Sequence, residues 1–121
     1  MIGVYARIRP TPTAATEGIG IVPDAPSQIL VRNLEFSLDH CFDVDASQEA
    51  VYETVGRERV ALVTRGFNVC ILAYGQTGSG KTHTMFGPDE VLADWRGEGA
   101  HEKHGLALRG IADLFEAAAG G

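Results

Sequence analysis

Eight consecutive residues, Gly75-Gln76-Thr77-Gly78-Ser79-Gly80-Lys81-Thr82, satisfy the pattern G-x-x-x-x-G-K-[ST] completely. The pattern constrains the fold because its fixed positions serve one task, turning backbone N–H groups inward around a phosphate. Gly78 and Gly80 permit the turn and the close approach of the backbone. The helix that must follow directs its unpaired N–H groups and the positive end of its dipole at the anion. Lys81 brings a full positive charge to the β- and γ-phosphates, and the Thr82 hydroxyl is placed to ligate Mg²⁺. At average glycine usage, about 7%, a chance match is expected well under once in about a hundred sequences. The 15 glycines of this chain weaken that figure only somewhat.

The flanking sequence supplies the context such a loop requires. Residues 69–74 (VCILAY) form a nearly continuous apolar, β-prone run, the signature of a strand buried on both faces of a sheet. Cys70 inside it is expected to be buried and inert. A helix is expected from about residue 80. Upstream, Ile2, Val4, Ala6 and Ile8 alternate with Gly3, Tyr5 and Arg7, which predicts a strand over 2–9 that stops at Pro10. Residues 19–42 read as a hairpin followed by a strand over 34–42. Asp45 or Ser47 can cap a helix over about 47–65, with Arg65 and Gly66 as its stop. Gly56 inside that helix costs roughly 1 kcal/mol relative to Ala. Residues 88–103 are polar and irregular, a surface loop, and Leu108, Ile111, Leu114 and Phe115 mark a last amphipathic helix over about 106–118. Strand, helix, buried strand, loop and helix in this order make an α/β sandwich.

Bulk properties narrow the ligand. The chain has 121 residues, 45% hydrophobic and 21% charged, the values of one soluble globular domain. Its net charge of −6 provides no basic field, so neither nucleic acid nor an anionic membrane is an expected partner. A small phosphorylated ligand held by a local site fits better. Cys41 and Cys70 form no metal-type pair, and no signal peptide or membrane-length apolar run is present. A reducing cytosolic or nuclear setting is the expectation.

The motif alone does not separate ATPases, GTPases, kinases and motors. A carboxylate ending an apolar strand would help, but Val91-Leu92-Ala93-Asp94 lies in a polar stretch and Asp113 within a helix. His101 and His104 lack a third ligand, which favours a solvated loop. Trp95 beside them reads as a local packing residue.

A specific resemblance resolves the choice. YGQTGSGKTHTM (residues 74–85) resembles the kinesin phosphate loop almost letter for letter. VYARIRP (residues 4–10) resembles the family's opening strand with its R-x-R-P ending. FSLDHCFD with SQEAVY, and HGLALRGIADLF, resemble further kinesin segments in the right order. The resemblance implies a P-loop NTPase three-layer sandwich of the kinesin motor type, incomplete in this chain. It implies ATP and Mg²⁺ as ligands and the microtubule (tubulin) as partner, through parts of the motor absent here, with a cytoplasmic, cytoskeletal location. It places Arg7, Arg9 and Pro10 beside the adenine and His83 near the nucleoside. Without it, the two arginines read as solvated strand-end charges. NVCILAYGQTGSGKT and VYARIRP look most like the C-terminal-motor, minus-end-directed kinesins.

The departures are equally definite. Nothing resembles the switch I motif N-x-x-S-S-R-S-H or the family's switch II stretch, built on D-x-x-G. Ala107-Leu108 stands where the family has Ile-Pro. The expected function is therefore the ATP-binding part of a microtubule motor. The alternative is a truncated nucleotide-binding module without hydrolysis, suggested by the abrupt end at Gly121. A GTPase or phosphotransferase outside the family leaves the flanking matches unexplained.

Overall fold

The computed structural model describes residues 2–9, 18–22, 24–75 and 80–120. They form two compact units, Met1–Ala46 and Ser47–Gly121.

In the first unit, β1 (Tyr5–Arg7) and β5 (His40–Phe42) pair in parallel, with Tyr5 opposite His40 and Arg7 opposite Phe42. The chain between them forms an antiparallel meander of β2 (Ile19–Ile21), β3 (Gln28–Val31) and β4 (Leu34–Ser37). Arg32 and Asn33 close the β3–β4 hairpin with φ of 49° and 70°. Two consecutive positive φ angles give a turn whose twist matches that of the flanking strands, and asparagine tolerates the conformation well. Ile8, Ile29 and Cys41 are buried at the centre, with Ile19, Ile21, Val31 and Leu38 packed against them.

One expected element divides. The strand over 34–42 is two strands in different sheets, because the backbone changes partner between them. Leu38 N–H donates to Ser27 O at 2.8 Å, and the next amide, Asp39, donates to Val4 O at 2.9 Å. The strand over 2–9 is paired as a ladder only over Tyr5–Arg7.

The second unit begins with α1 (Gln48–Val55), whose N-cap Ser47 accepts from Ala50 N–H at 3.0 Å through Oγ. Such a cap contributes about 1 kcal/mol. Gly56 separates α1 from α2 (Arg57–Val63), although Val60 N–H still donates to Gly56 O at 2.8 Å. A Cβ at Gly56 would lie 2.6 Å from Tyr52 Cδ1 and 2.7 Å from Cε1. The glycine is thus where the Tyr52 ring lies against the helix. Tyr52 is 1% exposed, and its hydroxyl donates to Asp113 Oδ2 at 2.5 Å. Asp113 lies on α6 (Leu106–Gly120), so this bond ties the first helix of the unit to the last. Arg57 adds its guanidinium to Asp113 Oδ2 at 3.2 Å and to Glu53 at 2.6 Å, and sits 5.2 Å from the Tyr52 ring centroid.

Two further expectations fail. The apolar run 69–74 pairs with no strand among the described residues. Leu72 is 86% exposed, Tyr74 is fully exposed, and Cys70 is exposed rather than buried. A central strand needs a neighbour on both edges to satisfy its backbone, and none is in place here. The stretch 88–103 is not an irregular loop, because it contains α4 (Asp89–Ala93) and α5 (Ala100–Lys103). Val91 and Ala100 are buried within it, and Leu106 just after it. Its two ends meet where Gly105 N–H donates to Phe86 O at 3.1 Å. A Cβ at Gly105 would lie 2.5–2.6 Å from backbone atoms of Thr84, Met85 and Phe86, so only glycine permits that closure. No helix among the described residues is long and apolar enough to cross a membrane.

Gly56→Ala is expected to lower stability by about 1–3 kcal/mol, because overpacking outweighs the gain in helix propensity. A urea melt that shows stabilisation instead would contradict the contact with Tyr52. Burial, reinforced by Asp113, also holds the Tyr52 hydroxyl well above the ordinary tyrosine pKa. A raised pKa of this kind favours the folded state at every pH below the unfolded value, about 10, and the benefit fades above it. Tm should therefore fall beyond about pH 10 in the wild type. The fall should be shallower in Tyr52→Phe, as thermal melts across the alkaline range will show.

Candidate phosphate-binding site

The short helix that follows the loop is α3 (Lys81–Met85), entered through Gly80 at φ 104°. No atom lies within 4 Å of a Cβ built on Gly80. The demand for glycine here is therefore conformational rather than steric, since a left-handed residue must turn the chain into the helix. Thr84 N–H donates to Gly80 O at 3.0 Å and Phe86 N–H to Thr82 O at 2.8 Å, which fixes α3 directly behind the turn. Lys81 is half-buried, whereas Thr82 and His83 are exposed. Gly75, at the loop's entrance, is half-buried. Gln76, Thr77, Gly78, Ser79 and Pro10 lie outside the described residues.

A residue that sequence reasoning placed only as part of a helix start lies beneath this helix. Gln48, the first residue of α1, is 8% exposed. Its Nε2 donates to His83 O at 2.8 Å and to Lys103 O at 3.1 Å. Both acceptors are carbonyls, so the amide nitrogen must face them. The available signal was its position. Gln48, Val51, Tyr52 and Val55 follow the i, i+3, i+4, i+7 spacing of a helix's inward stripe. A glutamine in that stripe needs internal partners.

Arg109 acts similarly on the far side of the 88–103 excursion. Its guanidinium donates to the carbonyls of His104, His101 and Glu102 at 2.8, 3.3 and 3.1 Å, closing the C-terminal end of α5. His104 Nε2 lies 2.9 Å from Trp95 O, and the rings of His101 and His104 are 5.5 Å apart. Among the described residues no group of three or more His, Cys, Asp and Glu could hold a metal ion.

The carboxylates weighed beside the loop have other tasks. Asp113 is committed to Tyr52 and Arg57. Asp94 is the exposed C-cap of α4, and Gly97 N–H donates to its carbonyl at 3.1 Å. Asp94-Trp95-Arg96-Gly97 thus spells D-x-x-G, but as a turn after a helix, not after an apolar strand. In the first unit, Arg7 is half-buried on β1, and its Nη2 donates to Ala46 O at 3.2 Å. Arg9 beyond it is exposed.

The donor set suits Mg²⁺ with a nucleotide. An exposed threonine hydroxyl is a hard oxygen ligand, and Mg²⁺ commonly takes few protein ligands when phosphates and waters complete its shell. Thr82 offers such an oxygen, next in sequence to Lys81.

Comparison with known proteins agrees on one family. The model of the kinesin motor domain matches residues 22–120. Kinesin-like protein KIN-12B of Oryza sativa subsp. japonica is 35% identical over 120 residues, covering 94% of this chain and 10% of the relative. Kinesin-like protein KIF15 of Homo sapiens is 43% identical over 98 residues, covering 74% of this chain and 7% of the relative. The Drosophila kinesin family member Kin10/NOD, solved with divalent manganese and ADP, superposes with a TM-score of 0.81 at 28% identity. That match covers 98% of this chain and 38% of the NOD chain. A second NOD structure was docked with bovine tubulin into a map of its nucleotide-free microtubule complex. The chain thus spans a small part of the length of the relatives it matches. Its fold is that of the kinesin-type P-loop NTPase, represented in part, and the chain belongs to the kinesin motor-domain family.

Proposed function

We propose that this chain is the ATP-binding part of a microtubule-based motor. One observation carries the reading: a complete phosphate-loop motif within a chain of the kinesin motor-domain family. The backbone of residues 75–80 is assigned to the β-phosphate, Lys81 to the β- and γ-phosphates and the Thr82 hydroxyl to Mg²⁺. The ion would supply charge neutralisation between the β- and γ-oxygens. Arg7, Arg9 and Pro10 are assigned to the adenine side and His83 to the nucleoside. The NOD complex with manganese and ADP supports a nucleotide with a divalent ion at this site. The docked NOD–tubulin structure supports the microtubule as partner, and with it a cytoskeletal location in the cytoplasm.

Hydrolysis and track binding are assigned to the part of the relatives' length that this chain does not span. A second reading, nucleotide binding without turnover, is favoured by one feature. Within the unit that holds the loop, no described carboxylate ends an apolar strand, since Asp94 and Asp113 are placed elsewhere.

Purified protein should melt higher with Mg-ADP, by the equivalent of about 2.7 kcal/mol at a ligand concentration one hundred times Kd. Lys81→Ala should abolish the shift while leaving the ligand-free melt unchanged. An equal shift in wild type and Lys81→Ala would overturn the assignment of the loop. Phosphate release from ATP that Lys81→Ala removes would overturn the binding-only reading, and competition by GTP as strong as by ATP would argue against a motor.

A further inference from the structure

Gln48 is a buried polar side chain that spans long sequence distances. Its single amide nitrogen joins the carbonyl of His83, one residue after Thr82, to the carbonyl of Lys103, the last residue of α5. The geometry is that of a two-point clamp. A carboxamide presents two N–H bonds about 120° apart in one plane, so satisfying both acceptors fixes its position and theirs. The clamp also has a rigid base. α1 is capped by Ser47 at the residue before Gln48, and one turn later Tyr52 is bonded to Asp113 on α6.

The lever arm on the other side is short. α3 has five residues and no side-chain cap hydrogen bond at its N-terminus. A helix this short is not stable by itself, so its orientation must come from outside contacts. Two such contacts are backbone-specific: Gln48 at His83 O, and Gly105 N–H at Phe86 O. The first acts at the turn that carries Lys81 and Thr82.

We propose that Gln48 is a positioning residue for the phosphate-binding loop, holding the first turn of α3 so that Lys81 and Thr82 face the ligand. This rests on the nucleotide reading above. Gln48 itself reaches carbonyls rather than phosphate, so its effect passes through the backbone of α3. Removing both N–H donors takes this partner from two part-buried carbonyl hydrogen bonds, and the turn can then shift. The movement should appear in ligand affinity and not only in stability.

The test is titration of the purified protein with the fluorescent nucleotide mant-ADP in Mg²⁺, well below Tm, in wild type, Gln48→Leu, Gln48→Glu, Val60→Ala and Lys81→Ala. Gln48→Leu should weaken binding roughly tenfold, the scale of a buried hydrogen-bonding group lost next to a site. Gln48→Glu should weaken it further, since a carboxylate would face two carbonyl oxygens. Val60 on α2 lies against Gly110 of α6 and touches no part of the clamp. Val60→Ala should lower Tm with Kd unchanged, which separates positioning from general destabilisation. Unchanged Kd in either folded Gln48 variant, or an equal rise in Val60→Ala, overturns the proposal. Should both Gln48 variants fail to fold, wild-type protein carrying isotope-labelled glutamine decides it by NMR. The Gln48 side-chain amide resonances must shift on adding ADP, and their constancy overturns the clamp. Wild type that does not bind mant-ADP at all defeats the nucleotide reading itself, and the clamp with it. Wild-type binding that Lys81→Ala abolishes while both Gln48 variants retain it defeats the clamp alone.

Discussion

The unit that carries the phosphate loop depends on the bond between Tyr52 and Asp113. A tyrosine with its ring inside the protein must bring a partner for its hydroxyl, and a carboxylate is a strong, charged acceptor for that O–H. The partner lies 61 residues further along the chain, on the final helix. That one contact converts a local helix into a platform. Gly56 makes room for the ring by giving up a side chain, and Arg57 offsets the charge of Asp113. Everything nearer the loop is arranged on this platform.

From there, order reaches α3 and α5 through contacts to their backbones. Gln48 takes hold of α3 and of the end of α5, Gly105 lies against the end of α3, and Arg109 closes α5. Short helices of four and five residues have little intrinsic stability, so each needs its carbonyls or amides engaged from outside. Small residues at the crossing points allow that engagement. The apolar run 69–74 pairs with no strand among the described residues and leaves Leu72 and Tyr74 in solvent. Exposed apolar sequence with open backbone edges is the feature of this chain that most calls for further protein against it.

The candidate site was legible in unequal parts. The phosphate loop announces itself because its function uses backbone geometry, and backbone geometry demands glycine at fixed spacing. The sharp positive φ at Gly80 is the kind of requirement that leaves such a trace. The role of Gln48 left a weaker one, since a polar residue in an inward stripe says that partners exist but not which. The excursion 88–103 misled for a related reason. Its polar sequence hides Val91 and Ala100, which are buried in a segment whose ends are joined by the bond from Gly105 to Phe86.

By itself, the sequence determined the phosphate motif, the family to which its flanking segments belong, a capped helix start at Asp45 or Ser47 and the helical stripe that follows it. These are local properties, set by residues within one or two turns of each other. Only the tertiary structure decided that residues 34–42 divide between two sheets, that Asp113 serves Tyr52, and that Gln48 joins α3 to α5. It likewise decided that residues 69–74 pair in no ladder among the described residues. Each of these depends on a partner tens of residues away, and pairing over such distances is chosen by the packing of whole elements. A hydrogen-bond donor records in its own identity only that it needs an acceptor; the fold determines which one it meets.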